Sequence, residues 1–255
     1  MHNHFRPKFS IITVTFNAEK VIEETIQSIV TQTYKNIEYL LIDGGSTDRT
    51  LEIAGRYREH IHYLCSEPDR GLYDAMNKGL AHATGDYVCF LNAGDCLHED
   101  DTLFLMVRRW NDEWAQHPEL PMPDVLYGET AIVDAQGHFV RMRRLAAPKQ
   151  LSWKSFRHGM LVCHQAFFAR RELAPQYDLR YRYSADFDWC IKVMKQARSL
   201  FNTGLTVVDY LQEGLTTRHH KASLRERYQI MCCHYGRLST LLFHAWFVVR
   251  SFLKK

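Results

Sequence analysis

Two aspartates stand directly after short apolar runs, where α/β proteins commonly do their chemistry. Asp95 follows Tyr87 to Leu91 by way of Asn92, Ala93 and Gly94, and Asp43 follows Ile37 to Ile42 and precedes Gly44 and Gly45. A carboxylate is a hard oxygen donor, so Asp95 could hold a divalent cation against a diphosphate. Asp43, beside a glycine-rich turn, is placed to accept hydrogen bonds from a base or ribose. Turn chemistry explains both acids as readily, and Asp95 could instead cap a helix over 102–110. A third segment, Ser66 to Gly79, is dense in polar side chains that include Asp69, Asp74 and Asn77. Its acids suit the start of a helix, where they complement the dipole. That does not account for so many polar groups gathering ahead of the run that ends at Asp95, so the segment is expected to face the same crevice.

These residues need elements to place them. Phe9 to Phe16 is a β-branched run that predicts the first buried strand, broken at Asn17. Ile22, Ile26, Ile29 and Val30 recur at helical spacing and predict a helix ending near Gln32. Ile37 to Ile42 predicts the second strand. Leu51, Ala54 and Tyr57 then mark a helix capped by Ser46, Thr47 or Asp48. Met76, Leu80 and Ala83 line one side of a third helix closed at Gly85, and Tyr87 to Leu91 predicts a central strand. Alternation of strand and helix means parallel strands joined by right-handed crossovers. In such sheets ligands collect at the carboxyl ends of strands. Neither GxGxxG nor GxxxxGK[ST] occurs.

The chain has 255 residues, 46% hydrophobic and 24% charged, enough for one large α/β domain with an appended tail. A net charge of +3 is too small to make nucleic acid the main partner. Seven cysteines without CxxC spacing, several in apolar settings, read as reduced core residues of a cytosolic protein rather than as a zinc site. The first residues contain no apolar segment of signal-peptide length, so the bulk is expected on the cytosolic side.

Thr15-Phe16-Asn17, Ile42 to Asp48, Glu67 to Gly79 and Leu91 to Asp95 occur in the order seen in family 2 glycosyltransferases. The chain resembles bacterial members of that family of the exopolysaccharide and colanic-acid type, closely over the first hundred residues and more loosely to about residue 220. The resemblance implies a GT-A fold: a Rossmann-like nucleotide-binding half with a mostly parallel sheet and flanking helices, about 8–115, and an acceptor half, about 124–220. It implies that Asp43 contacts the nucleobase, with Thr15 and Asn17 beside it, that Asp69 lies by the nucleotide, and that Asp74, Asn77 and Asn92 belong to the donor rim. Asp95 takes the metal role of the family's Asp-x-Asp motif, with Mn²⁺ or Mg²⁺ as the ion. Relatives carry Asp where this chain has Asn92 and Gly94, leaving Asp95 as the dominant carboxylate.

The acceptor half follows the proline-rich stretch His117 to Pro123. Val125 to Val133 predicts a strand, Asp134 to Gly137 a hairpin turn and His138 to Arg144 the returning strand. Arg141, Arg143 and Arg144 either meet phosphates or form a solvated face. Leu161 to Phe168 predicts an apolar strand interrupted by His164 and Gln165. That pair must find hydrogen bonds, either within the core or, as the family pattern implies, in an acceptor pocket. Tyr183 to Trp189 opens a helix, and Asp186 matches the second acid of the family's Glu-Asp motif, with Ala185 in place of the first. A carboxylate at a helix start is kept ionised by the dipole and suits the base of an inverting transfer; it could equally be an N-cap. Asp188 is expected to be structural. Gly204 to Tyr210 predicts a further strand, and the basic segment Gln212 to Lys221 either resembles the loop that covers the donor in relatives, with Arg218, His219 or His220 on the diphosphate, or is a solvated linker.

The last stretch, 221–255, is read as a helical tail. Leu238 to Lys255 is apolar, aromatic and edged with Arg237, Arg250, Lys254 and Lys255, too interrupted to span a bilayer. It suits an amphipathic helix at an anionic membrane surface on the inner face of the plasma membrane, or a helix packed on the enzyme or in a homo-oligomer. The composite expectation is a metal-dependent inverting transferase moving sugar from a nucleotide-diphosphate donor to a glycan, lipid-linked if the tail docks on membrane. The competing readings are a sugar-phosphate nucleotidyltransferase, against which stands the lack of a Gly-rich Arg/Lys loop after the first strand, and a nucleotide-sugar-binding scaffold without turnover.

Overall fold

The structure, a computed structural model, describes residues 5–212 and 220–253. A nine-stranded mixed sheet runs through it in the order β3 (Tyr63–Ser66), β2 (Ile37–Asp43), β1 (Phe9–Thr15), β4 (Tyr87–Phe90), β8 (Phe167–Arg170), β6 (Val125–Val133), β9 (Leu200–Leu211) and β5 (Cys96–Leu97), with β7 (Phe139–Met142) paired to β6. β1 to β4 are mutually parallel, joined by α1 (Ile22–Val30), α2 (Thr50–Gly55) and α3 (Leu72–His82). α4 (Thr102–Gln116) follows β5, and α5 (Ala185–Gln196) precedes β9. The sheet turns antiparallel where β8 joins β4. Its two halves therefore share one hydrogen-bonded surface.

All seven residues of β1 are buried, as an unbroken apolar and β-branched run covered on both faces requires. α3 presses on this strand through Gly79, whose missing side chain leaves room for Ile12 and Ile42. Beyond β4 the core becomes aromatic: Phe9 meets Tyr87 and Phe168 with ring centroids 5.8 and 5.7 Å apart, and Trp189 meets Phe90 edge-on at 5.5 Å.

Three local expectations change. The cap position of α2 is Arg49, not Ser46, Thr47 or Asp48; Asp48 Oδ1 instead accepts the N–H of Thr50, two residues further on, at 3.0 Å. Leu161 to Phe168 is not one strand. Its middle, His164–Ala166, is a 3₁₀ turn and pairing begins only at Phe167, because His164 and Gln165 turn their side chains onto buried carboxylates rather than alternate across a sheet. The last strand is longer than expected: β9 begins at Leu200, and its pairing with β6 shifts register between Tyr127 and Thr130. Gly204, with φ of 67°, stands at the matching point on β9.

Two helices, α6 (His220–Tyr235) and α7 (Arg237–Leu253), complete the described chain. Ile230 and Met231 of α6 are buried in the main core. Tyr235 stacks flat on Trp153 at 5.5 Å and its hydroxyl donates to Trp153 O at 2.6 Å. Asp188 on α5 is buried and accepts His234 Nε2 at 2.7 Å, one of the bonds that join α5 to α6 together with Lys195 Nζ on His234 Nδ1 at 2.9 Å.

Candidate active site

The carboxyl ends of β1 and β2 form one rim. Asp43 is fully buried; its Oδ2 accepts the N–H groups of Gly45 and Ser46 at 3.1 and 2.9 Å and the Ser66 hydroxyl at 2.6 Å, and its Oδ1 accepts the Ser46 hydroxyl. The acid thus builds the turn that follows it. Asn17, in the left-handed region at φ 48°, accepts the Thr47 N–H through Oδ1 at 2.9 Å, while its own N–H donates to Ser46 Oγ at 2.8 Å. Thr15 Oγ1 is buried with no hydrogen-bond partner among the described residues.

Asp69 comes up to the same turn. Its Oδ1 accepts the Gly71 N–H at 2.7 Å, and its Oδ2 would lie 2.5 Å from a Cβ placed on Gly44. Only glycine fits there without displacing Asp69. Phe16, whose ring is 3.5 Å from the same Cβ position, is 62% exposed. An exposed aromatic beside a half-buried acid and a bare backbone is a stacking surface. Phe16 is absent from the residues singled out in the sequence; its position between Thr15 and Asn17 at a strand end was the available signal.

Two members of the expected rim are committed elsewhere. Asn77 donates to Tyr177 O at 3.0 Å and accepts Tyr177 N–H at 2.7 Å, so its amide fastens α3 to the acceptor half instead of facing a donor. Asp74 accepts both the N–H and the guanidinium of Arg70 at 3.0 Å. These bonds hold its carboxyl below the usual carboxylate range. It is a helix-start ion pair, as its position in the sequence allowed.

Asp95 is 4% exposed. Its Oδ2 accepts Gln165 Nε2 at 2.8 Å and its Oδ1 accepts the N–H of Leu211, the end of β9, at 3.1 Å. Burial pushes its carboxyl up to about 6, against the hydrogen bonds and the neighbouring His164, which favour the charged form. Gly94 holds the approach: its φ is 98°, and a Cβ there would come within 2.9 Å of Leu211. Asn92 Oδ1 is buried without a hydrogen-bond partner among the described residues. No three His, Cys, Asp or Glu side chains among those residues gather into a metal cluster. The donor set still fits a divalent cation of the kind that binds one or two protein oxygens and takes the remainder from substrate phosphates and water. A buried carboxylate with a raised pKa and an orphaned amide oxygen three residues away are what such a site presents.

Asp186 lies in the first turn of α5, 14% exposed at its side chain. Tyr73 donates its hydroxyl to Oδ1 at 3.0 Å, and His164 Nδ1 is 3.4 Å from Oδ2. Burial by itself would raise this carboxyl, but His164, the Arg227 charge and the Tyr73 bond outweigh it and hold it below the usual range. His164 Nε2 is buried without a hydrogen-bond partner among the described residues. Gln165, 1% exposed, accepts the Cys163 thiol at 2.6 Å as it donates to Asp95. Gln165 therefore does not line an acceptor pocket. One 3₁₀ turn connects the two carboxylates, with His164 on Asp186 and Gln165 on Asp95. Tyr73 and Arg227 join Asp186 without being expected there: Tyr73 stands within the Glu67 to Gly79 segment, while Arg227 comes from α6 and has no local signal. Arg218 and His219 lie outside the described residues.

A profile described as "Glycosyl transferase family 2" matches residues 10–176, which hold the β1 and β2 rim, Asp95, His164 and Gln165. The chain belongs to that family. It is 36% identical over 192 residues to the "PGL/p-HBAD biosynthesis glycosyltransferase" of Mycobacterium bovis (strain BCG / Pasteur 1173P2), covering 73% of this chain and 69% of that protein. Family membership and the sheet described above make it a glycosyltransferase of GT-A fold. Among solved structures it is similar to S. aureus TarS 1-349 in complex with UDP, with a TM-score of 0.67 and 19% identity over 96% of this chain and 72% of that one. It is also similar to the mannosyltransferase PcManGT from Pyrobaculum calidifontis in complex with GDP-Man and Mn2+, with a TM-score of 0.58 and 17% identity over 97% and 76%.

Proposed function

We propose that this glycosyltransferase inverts the anomeric centre, transferring a sugar from a nucleoside-diphosphate donor to a hydroxyl of a glycan acceptor, with Asp186 as general base. The observation that carries the reading is the polar chain Tyr73, Asp186, His164, Gln165, Asp95, which ties a low-pKa carboxylate to a raised-pKa one through consecutive residues. Asp186 takes the acceptor hydroxyl's proton as that oxygen bonds to the anomeric carbon. The bond from that carbon to the diphosphate oxygen breaks on the opposite face, and the nucleoside diphosphate leaves with the electron pair. Tyr73 and His164 fix the orientation of the base, and a base held ionised is ready to accept. Asp95 with Asn92 Oδ1 would hold Mn²⁺ or Mg²⁺, whose charge offsets that of the leaving diphosphate. The base of the nucleotide is read by the Phe16 face together with Asp43, Asp69, Thr15 and Asn17, and Arg218 remains our choice for the diphosphate. His164 is the member of its pair that can still meet a substrate, through Nε2.

The acceptor is proposed to be lipid-linked and the product a cell-surface polysaccharide. The outward face of α7 supports a membrane-side location on the inner face of the plasma membrane: Leu238 and Leu242 are 75% and 66% exposed, with Leu241 and Trp246 beside them. No acid follows Glu226 in the sequence, while Arg237, Arg250, Lys254 and Lys255 do. That pattern suits an anionic surface. No helix among the described residues is long and apolar enough to cross a membrane.

The test is calorimetric binding of UDP, GDP and dTDP with and without Mn²⁺, paired with transfer assays on Asp186→Asn. Metal-dependent binding of one nucleotide, with turnover abolished and binding kept in Asp186→Asn, is the expected result. Binding of none of the three would sink the donor site, and undiminished turnover in Asp186→Asn would remove the base.

A further inference from the structure

α6 lies beyond residues 10–176, yet it holds the segment that delivers Asp186. Glu226 accepts the N–H of Arg182 through Oε1 at 2.9 Å and the N–H of Tyr183 through Oε2 at 2.8 Å. Ser184, the residue before α5, pairs its hydroxyl with Ser223 Oγ at 2.9 Å rather than spending it as a helix cap, and both serines are buried. Three consecutive residues, Arg182, Tyr183 and Ser184, are thus fixed by one helical turn of α6, two positions short of Asp186. An N-cap serine ordinarily accepts a bond from its own helix. Here the first turn of α5 takes its position from another element.

We propose that Glu226 is a positioning residue for transfer, setting the Asp186 carboxylate through the backbone of Arg182 and Tyr183. Among the described residues the hydrogen bonds of Glu226 go to the Arg182 and Tyr183 backbone and not to Asp186 or the rim, so its effect belongs to base geometry and not to donor binding. Displacing a catalytic group by about 1 Å can cost on the order of a hundredfold in rate. Without Glu226 two N–H groups lose a charged acceptor, and the segment is free to shift by such an amount.

This inference rests on Asp186 being the base, and the experiment separates the two. In the full-length protein, kcat and donor KM are measured for Glu226→Ala, Glu226→Gln, Asp186→Asn and the double variant Asp186→Asn/Glu226→Ala. Nucleotide affinity is followed with whichever of UDP, GDP or dTDP binds the parent, and amide hydrogen exchange is followed over 182–187. We expect kcat to fall about ten- to a hundredfold in Glu226→Ala, with donor KM and nucleotide affinity within about twofold and exchange faster at 182–187. Glu226→Gln, which keeps one carbonyl acceptor, recovers part of kcat. In the Asp186→Asn background Glu226→Ala adds nothing, since there is no base left to misplace. Unchanged kcat in Glu226→Ala overturns the proposal, as does a parallel loss of nucleotide affinity, which would mark a general loosening. Full activity in Asp186→Asn removes the base reading itself, whatever Glu226 does.

Discussion

The donor rim and the carboxylate pair are built from the same residue types and differ in how completely those residues are satisfied. At the rim Asp43 spends its carboxylate on two backbone N–H groups and two hydroxyls of its own neighbourhood. Asn17 and Asp69 likewise bond adjoining backbone. In the interior, Asp95 is pushed up to about 6 by burial, and Asn92 Oδ1 and His164 Nε2 are buried without partners among the described residues. Leaving buried polar atoms unpaired costs about 1–3 kcal/mol each. The rim satisfies its acids from its own turn and leaves Thr15 Oγ1 as its one buried atom without a partner among the described residues. On the reading proposed above, the partners of Asn92 Oδ1 and His164 Nε2 would arrive with the substrate.

The contrast can be broken at several points, beginning with the base. Asp186→Asn should lower kcat on the order of a thousandfold, within the usual range for a general base, while nucleotide affinity by calorimetry stays the same; a matching loss of affinity would make Asp186 a binding residue. Asp95→Ala should weaken metal-dependent nucleotide binding at least about tenfold and leave metal-free binding nearly unchanged. Equal weakening with and without Mn²⁺ would return Asp95 to a structural role.

His164→Ala should cost about tenfold in kcat and move the acid limb of the rate profile upward. The sign follows from the active form being the carboxylate. Asp186 is held below the usual range, so activity persists until pH falls through that depressed value; with His164 gone, burial becomes the dominant influence and protonation sets in at higher pH. An unmoved acid limb would separate His164 from the base. Gly44→Ala tests the rim and should cost no more than about 1 kcal/mol in thermal or urea unfolding, because the new Cβ meets the tip of the half-buried Asp69 side chain, which must swing aside. The smallest effect belongs to Asp74→Asn. Its partner Arg70 is 78% exposed, so the pair should contribute no more than about 1 kcal/mol and leave catalysis alone.

Local pattern placed β1, β2, β4 and the helices between them, but it marked neither β3 nor β5 and set the α2 cap too early. Runs such as Phe9 to Thr15 and the helical spacing of Ile22, Ile26 and Ile29 state burial and period directly, and the acids after those runs inherit their place from the strand ends. The sequence also carried the ordered motifs that mark the family, and with them Asp43, Asp69, Asp95 and Asp186 as the residues to examine. What it did not carry is what each side chain bonds. Asn77 on the backbone of Tyr177, Gln165 on Asp95 and Glu226 on Arg182 and Tyr183 join residues 100, 70 and 43 to 44 positions apart. Likewise the 3₁₀ turn at His164 replaces a strand because two distant carboxylates claim its side chains. Strand and helix follow from nearest-neighbour periodicity, whereas the partner of a buried polar group is whatever the folded chain brings within 3 Å, and that was decided by the tertiary structure.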